Sequence, residues 1–437
     1  MYTTTYVRIE ETYVLNNKTI ISRLSFSNNI KKYFNSSLFF AKYDVDIQDV
    51  DLSILNIPVV ANIIPIAWAI GADIFVKELD QVFLQSLDYI KSIMKKWYPN
   101  FSFSIRMFVT KKIVNNLSHE RNAMLFSGGL DSTCSYVECK NKKPILIVIW
   151  GADIPLGQKK FWEKVKKKNM QFAEAENAEI KFVKSNIRGL LNETNITRKF
   201  GKFCMDQSWW GAVQHGFSSL GLCAPLTVTE HIGNIFIASS WNPVLLKSGK
   251  PWGSHPVTDN KMSWANTKVI HHGDTLSRQE KIRYVLKEHI KVQQHYPTIR
   301  VCYSQFEELN CGKCEKCLRT ITGLLLENID PNKCGFNVTD DFCAFLKKSL
   351  LKTGSNPLLC DTYGMWKDIQ HHIPERISSN LHGSKDFFEW FRCIELSERF
   401  DKRNPHYLFS LMLNKLPVRL RIMIFKLRNF KTLVKQK

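Results

Sequence analysis

Residues 144–150, with the sequence PILIVIW, form an apolar run of strand length without one polar side chain. Such a run is typical of a strand that is buried on both faces of a sheet. A helix-like pattern follows over residues 158–177, and shorter strand-like runs lie at 122–126, 180–183, 235–239 and 268–270. Apolar strands that alternate with helices predict a parallel sheet with helices on both faces, so we expect a doubly wound α/β domain.

Two further regions flank this predicted domain, which we place at residues 119–330. Residues 1–118 mix short β-like runs with one helical pattern at 80–96, and they predict an N-terminal α+β domain. The uncharged stretch 52–72 is long enough for a membrane helix. Prolines and asparagines interrupt it and no cluster of positive charge flanks it closely, so we expect a buried strand and helix and no transmembrane segment.

Positive charge dominates the composition, and the C-terminal region carries a concentrated part of it. Lys and Arg number 61 against 40 Asp and Glu, which gives a net charge of +21. Residues 331–437 are expected to be helical, and after Asp401 basic residues accumulate with apolar ones near helical spacing. An excess of cations favours nucleotides, nucleic acid or an anionic membrane face as partners, and it also suits a solvated surface or a tail docked on its own protein.

A glycine turn follows the first predicted strand of the α/β domain and precedes a predicted helix. Its sequence, SGGLDS, comprises Ser127, Gly128, Gly129, Leu130, Asp131 and Ser132. Two glycines allow a sharp turn that brings backbone N–H groups to an anion, and the helix N-terminus adds its positive dipole end. Asp131 can hold Mg²⁺ that bridges phosphate oxygens. A Walker A loop is excluded because no Gly-Lys-Ser/Thr closes the turn, and an ordinary N-capped helix is the alternative.

Four of the 12 cysteines lie in one short segment with the spacing C-x8-C-x2-C-x2-C. They are Cys302, Cys311, Cys314 and Cys317. Thiolates at this density are typical of a structural Zn²⁺ site with all four positions filled by protein, and an iron–sulfur cluster is the rival interpretation. The other cysteines are scattered, mostly in apolar sequence, which predicts reduced thiols and a cytoplasmic protein.

The glycine turn matches the SGGxDS signature of PP-loop ATP pyrophosphatases. Together with the cysteine segment it resembles the 7-cyano-7-deazaguanine synthase (QueC) family of queuosine-precursor biosynthesis. The positions that fall on the family's cysteine motif are Cys302, Tyr303, Cys311, Gly312, Cys314, Cys317 and Arg319. Residues 276–282, LSRQEKI, resemble the family's basic helix start and include Arg278 and Lys281.

This resemblance implies a PP-loop, HUP-like fold that uses ATP, Mg²⁺ and Zn²⁺. In the family, the loop grips the pyrophosphate that leaves when ATP transfers AMP to the carboxylate of 7-carboxy-7-deazaguanine. Ammonia then gives an amide, and a second ATP drives formation of the nitrile. Asp131, Arg278 and Lys281 are the catalytic residues expected from it, the two cations facing phosphate or the departing pyrophosphate. Larger relatives resemble components of the anti-phage Qat and type IV CBASS systems, which implies a protein partner and joining of a deazapurine-like or other small acid to an amine.

The substrate segments of that family are not recognisable, and tryptophan-rich sequence stands in their place. The segments in their place, which include Trp209, Trp210, His215, Trp241, Trp252 and His255, predict a different pocket. Trp252 and Trp264 around His255 are one candidate wall for a flat heterocycle. His255 and His215 are more often structural in such loops. Two other functions stay open: a tRNA-modifying PP-loop enzyme, which suits the charge but not the cysteine spacing, and a non-catalytic ATP-binding scaffold of a defence complex.

Overall fold

The computed structural model describes residues 5–118, 120–204, 208–240, 251–302, 308–351, 363–377 and 381–396. The protein is an α/β protein with two compact units, residues 1–310 with 333–335, and residues 311–332 with 336–437. The described part of the first unit contains an 11-stranded sheet. Its strands are β1 (Tyr6–Leu15), β2 (Thr19–Phe26), β3 (Leu38–Tyr43), β4 (Asp73–Asp80), β5 (Met107–Ile113), β6 (Arg121–Leu125), β7 (Ile145–Trp150), β8 (Ile180–Ser185), β9 (Ile232–Ala238), β10 (Ser263–Trp264) and β11 (Thr267–His272).

The spatial order of the strands is β10-β11-β9-β6-β7-β8-β3-β2-β1-β4-β5, and most neighbours run parallel. The five strands β11, β9, β6, β7 and β8 are all parallel. Numbered along the chain from β6, they have the order 5-4-1-2-3, which is the reverse reading of the doubly wound order. The pairs of β8 with β3, β3 with β2, and β2 with β1 are antiparallel. The N-terminal strands therefore extend the same sheet across the predicted boundary near residue 118, and the three predicted domains stay a prediction.

Helices connect the strands of the first unit. They are α1 (Leu52–Leu55), α2 (Ile57–Ile70), α3 (Gln81–Trp97), α4 (Leu130–Cys139), α5 (Lys159–Ala175), α6 (Glu193–Phe200), α7 (His215–Gly221), α8 (Ala224–Thr229), α9 (Pro256–Asp259), α10 (Arg278–Glu280) and α11 (Lys287–Gln293). Two π-helical segments continue this pattern, Trp210–Gln214 before α7 and Lys281–Leu286 between α10 and α11.

The uncharged stretch 52–72 forms α1 and α2, so the predicted buried helix is confirmed and the predicted strand there is wrong. Every residue of α2 except the last is buried. The buried amide of Asn62 accepts hydrogen bonds from Gln214 and Ser218, both at 2.6 Å, which satisfies its oxygen inside the core. Gly71 ends α2 in the left-handed conformation with φ of 73°. Among the described residues, no helix is both long and apolar enough to cross a membrane.

The predicted elements of the α/β region agree closely with the structure. The strands expected at 122–126, 144–150, 180–183, 235–239 and 268–270 are β6, β7, β8, β9 and β11. The helix expected at 158–177 is α5, and the one expected at 80–96 is α3. Asp80 caps α3, since its carboxylate accepts the backbone N–H of Phe83 at 2.8 Å. Five of the six β7 residues are buried, as a strand covered on both faces requires.

The described part of the second unit is helical. Its helices are α12 (Glu315–Leu326), α13 (Phe342–Leu351), α14 (Tyr363–His371) and α15 (Ser384–Cys393). On α12, buried Arg319 pairs one turn back with Glu315 at 2.6 Å, so this matched motif residue stabilises its own helix. Trp366 of α14 packs edge-to-face on Phe391 of α15, with ring centroids 6.0 Å apart. The predicted basic tail after Asp401 lies outside the described residues.

Candidate functional site

The glycine turn lies at the point where the parallel sheet changes winding direction. β6 pairs with β7 on one side and with β9 on the other, although β9 comes much later in the chain. Crevices at the carboxyl ends of two such strands are where open α/β sheets bind ligands. Residues 127–132 follow β6 directly and lead into α4, with Gly129 as the residue before its first turn. The predicted position of the loop at this edge is confirmed.

Hydrogen bonds within the turn fix its shape. Gly128 has φ of 68°, which only glycine adopts without strain. The Ser127 hydroxyl accepts the N–H of Gly129 at 3.2 Å and lies 3.2 Å from the hydroxyl of Ser132, which in turn donates to the Gly129 carbonyl. Leu130 is buried and anchors the start of α4 in the core. The loop is therefore a built turn that joins a strand to a helix N-terminus, as anion-binding loops do.

Arg278 and Lys281, which lie 147 and more residues after Asp131 in sequence, meet it beside this loop. Arg278 donates from Nη2 to Oδ2 of Asp131 at 2.7 Å and from Nε to both carboxylate oxygens at 3.1 and 3.2 Å. Lys281 Nζ lies 3.6 Å from Asp131 Oδ1. The side chains of Asp131 and Arg278 are each 18% exposed, whereas that of Lys281 is 0% exposed. Two cations thus face one partly exposed carboxylate at the end of the loop.

Local sequence explains how the two cations reach the site. Ser277 and Glu280 form a capping box, in which each side chain bonds the other residue's backbone N–H. This starts α10 sharply at Arg278, and the π-helical segment Lys281–Leu286 that continues it packs against α4. Lys281 then donates to the carbonyl of Ser239, just after β9, at 2.6 Å. Arg278 and Lys281 are therefore held on a capped helix rather than on a loose loop.

Sequence reasoning missed a second group of polar residues, which lies on the other side of the turn. Lys168 and Asn169 of α5 are 4% and 0% exposed, and Lys168 Nζ donates to the Gly128 carbonyl at 2.6 Å. The backbone N–H of Arg300 donates to the same carbonyl at 2.8 Å. Burial, and then the neighbouring charge of Arg300, lower the pKa of Lys168 to about 7. The first ten residues of α5 include six lysines, and helical spacing is the signal that distinguishes Lys168. It lies three residues after Val165 and four before Phe172, on the buried apolar face of the helix.

The four predicted metal ligands come together. The sulfur atoms of Cys302, Cys311, Cys314 and Cys317 all lie within 4.8 Å of one another. Tetrahedral Zn²⁺ with Zn–S bonds of about 2.3 Å places its sulfurs roughly 3.8 Å apart, so the cluster has the dimensions of a single-ion site. An iron–sulfur cluster interposes several atoms and separates its thiolates further, which favours one ion here. Gly312, with φ of 65°, provides the turn between the first two cysteines of the C-x2-C pairs.

The predicted aromatic pocket is only partly as expected. Trp264 is 0% exposed and donates its indole N–H to Thr227 at 3.0 Å, so its predicted role as a pocket wall is wrong. His255 is buried and caps α9, with Nδ1 accepting the N–H of Val257 at 3.1 Å. Both side chains are satisfied by local partners inside the fold, which excludes Trp264 as a pocket wall and agrees with the structural role favoured for His255. Trp241 and Tyr303 lie outside the described residues.

Trp210, the first residue of the π-helical segment before α7, and Trp252 are two predicted pocket residues that the structure places on either side of Gly211, and we call them the aromatic corner. The Trp252 ring covers Gly211, where an added Cβ would lie 3.5 Å from the ring. Trp210 donates its indole N–H to Asp153, in the loop after β7, at 3.4 Å, and the Arg188 guanidinium lies 5.6 Å from its ring centroid. His215 packs edge-to-face on Trp210 with centroids 5.3 Å apart. Exposed Asp153 and half-buried Trp252 are the polar and aromatic groups that this corner offers to a ligand.

Comparison with known proteins adds no relative, since no family model, no curated protein and no solved structure matches this chain.

Proposed function

We propose that the protein binds ATP with Mg²⁺ on the glycine turn and cleaves it between the α and β phosphates, transferring AMP to a carboxylate. The observation that carries this proposal is the meeting of Asp131, Arg278 and Lys281 beside the SGGLDS turn at the switch point of the sheet. An anion-binding turn, a carboxylate and two fixed cations are what the release of pyrophosphate requires. The resemblance to PP-loop enzymes points to the same reaction.

Each group has a chemical task in this reaction. The backbone N–H groups at the start of α4 and the hydroxyls of Ser127 and Ser132 bind phosphate oxygens. Asp131 is the ligand proposed for Mg²⁺, which neutralises phosphate charge when bound. Arg278 and Lys281 stabilise the negative charge that develops on the departing pyrophosphate, and their fixed positions avoid reorganisation at that step.

For the acid we propose a flat heterocycle of the 7-deazaguanine type, with an amine as the final acceptor. The half-buried indole of Trp252, next to Trp210, is a surface on which a planar ring can stack. Joining to an amine, ammonia or an amine of a protein partner in phage defence, follows from the resemblance alone. The four cysteines are proposed to bind one Zn²⁺ with a structural role, since protein fills all four positions.

Product analysis tests the reaction. Wild-type protein incubated with ATP, Mg²⁺ and candidate heterocyclic acids should release AMP and pyrophosphate. Asp131→Asn, which removes the charge but keeps the shape, should lower that rate by roughly 10²–10³-fold, a magnitude typical of lost charge stabilisation. Asp88→Asn, the same change at an exposed position of α3, is the matched control and should retain activity. Steady production of ADP and phosphate by the wild type would overturn the assignment.

Elemental analysis tests the metal. We expect one zinc per chain, and Cys314→Ser should lose it together with solubility, because metal binding contributes directly to folding. Cys393→Ser is the control, since Cys393 is an exposed cysteine outside the cluster and should leave the zinc content unchanged. Iron with acid-labile sulfide in the purified protein would contradict the zinc assignment.

A further inference from the structure

One carbonyl group in the glycine turn receives two hydrogen bonds from outside the turn. The Gly128 oxygen accepts from Lys168 Nζ at 2.6 Å and from the backbone N–H of Arg300 at 2.8 Å. The Arg300 segment is itself held, because Asn310 accepts the N–H of Val301 at 3.0 Å and donates to the Ile299 carbonyl at 2.7 Å. The two donors to the Gly128 carbonyl are therefore held in place, one by α5 and the other by the segment around Arg300 that Asn310 supports.

The direction of this carbonyl determines the direction of the next N–H group. The peptide between Gly128 and Gly129 is trans, so its C=O and its N–H point to opposite sides. With the carbonyl held toward Lys168, the Gly129 N–H points to the side of Ser127, whose hydroxyl it meets at 3.2 Å. If this peptide rotated, an oxygen would replace the N–H on the side where an anion binds. Two glycines in sequence make such a rotation easy in the absence of external donors.

Cations outnumber carboxylates on the Lys168 side of the turn. In the described part of the chain, no carboxylate lies within ion-pair distance of Lys168. The charged group that acts on it is Arg300, and the carboxylate of Asp153 acts in turn on Arg300. Asn169, fully buried beside Gly128, has no hydrogen-bond partner for either amide atom among the described residues. A buried cation and an unsatisfied buried amide both destabilise the fold, and a ligand that interacts with them offsets part of that cost. An anion bound on the turn would lie close to this positive charge and would offset it.

We propose that Lys168 is a positioning residue for the glycine turn: it holds the Gly128–Gly129 peptide with its N–H toward the ligand, and its charge strengthens the binding of a phosphate anion there. This inference rests on the proposed function, because it takes ATP or pyrophosphate as the ligand of the turn. It assigns to α5 a role in phosphate binding that neither the SGGLDS motif nor the Asp131 cluster includes.

Pyrophosphate and ATP–Mg²⁺ binding, measured by calorimetry on the full chain, tests the assignment. Lys168→Met should weaken both by roughly 10–100-fold, as expected for the loss of a charged hydrogen bond. Lys168→Arg keeps the charge and a donor and should recover most of the affinity. Lys167→Met, the adjacent exposed lysine of the same helix, should bind as the wild type does. Thermal unfolding of each variant checks that affinity is measured on folded protein.

The pH profile separates this role from simple support of the fold. Lys168 in the free protein is charged below about pH 7 and loses its proton above it. A bound anion favours the charged form, so binding takes up a proton, and ATP–Mg²⁺ affinity should fall by up to about tenfold per unit between pH 7.5 and 9. Lys168→Met should lack this component. If Lys168→Met binds both ligands with the affinity and the pH dependence of the wild type, the role of Lys168 is overturned and the proposed function is not. If the wild-type protein itself binds neither ligand, the proposed function is overturned as well.

Discussion

The two halves of the sheet share one hydrogen-bonded ladder but differ in where they carry their polar side chains. In the half formed by β6, β7, β8, β9 and β11, parallel strands end together at one edge, and that edge carries the glycine turn and its cations. The other half is formed by β1 to β5, and at the start of β1 buried and exposed residues alternate, as Val7, Arg8 and Ile9 show. When both faces of a sheet are covered, polar groups can be concentrated at the carboxyl ends of its strands. When one face is exposed to solvent, polar groups are distributed over that face, which we call the wet face.

The wet face of the N-terminal half carries a stack of four side chains across three strands. Phe75 and Phe108 lie parallel, with centroids 4.6 Å apart. The guanidinium of Arg8 covers the outer face of Phe75 at 4.3 Å, and that of Arg106 lies 5.0 Å from Phe108. Each ring face therefore has a partner within the protein, which identifies this stack as a stabilising element of the sheet.

The largest expected effect lies at the edge of the parallel half. In Gly128→Ala, a Cβ would lie 2.2 Å from both Lys168 Nζ and Asn169 Oδ1, and the residue would need a positive φ. We expect a loss of at least about 2 kcal/mol in stability and loss of pyrophosphate binding, because left-handed backbone alone costs roughly 1–2 kcal/mol. Chemical denaturation and calorimetry measure the two effects. A variant as stable and as active as the wild type would show that the turn tolerates change as a surface loop does.

A smaller effect is expected where the two halves join. Next to the β3–β8 pair, the Asn186 side chain accepts the N–H of Phe40 at 2.9 Å and donates to the Leu38 carbonyl at 2.8 Å. Asn186→Ala removes two hydrogen bonds and should cost about 1–2 kcal/mol. Hydrogen exchange should rise in β3 and leave β6 and β7 unchanged. Equal acceleration in all strands would mean that the halves open as one cooperative unit.

The smallest effect is expected on the wet face. Phe108→Ala removes one ring of the stack from a side chain that is already 40% exposed, so stability should fall by only about 1 kcal/mol. ATP turnover should be unchanged, because the stack and the glycine turn lie in different halves of the sheet. Lys77→Ala, an exposed position on the neighbouring strand, is the control for general surface change. A loss of turnover in Phe108→Ala would contradict the conclusion that the two halves of the sheet act independently.

Sequence patterns predict the parallel half better than the other half, for a physical reason. Strands such as β7 are buried on both faces, so their sequence contains an uninterrupted apolar run. The pairing of β3 with β8 leaves no comparable signal, since it depends on which edges remain available after each half has formed. At the site, SGGLDS predicts the turn from local chemistry, and the family resemblance points to Arg278 and Lys281. The surroundings of Lys168 and Trp264 depend on tertiary packing. The hydrogen bond from Lys168 to the Gly128 carbonyl was therefore not predicted, and the interpretation of Trp264 as a pocket wall is wrong.

The pairing of β3 with β8 also bears on how the chain folds during synthesis. Ala41 pairs with Ser185, so one inner strand of the sheet meets its partner only after more than a hundred further residues have been made. Until then β3 presents a free edge, a template for pairing with another chain. Contacts this distant in sequence slow folding. Nascent chains that stop before β8 are therefore the ones most exposed to aggregation and to capture by chaperones.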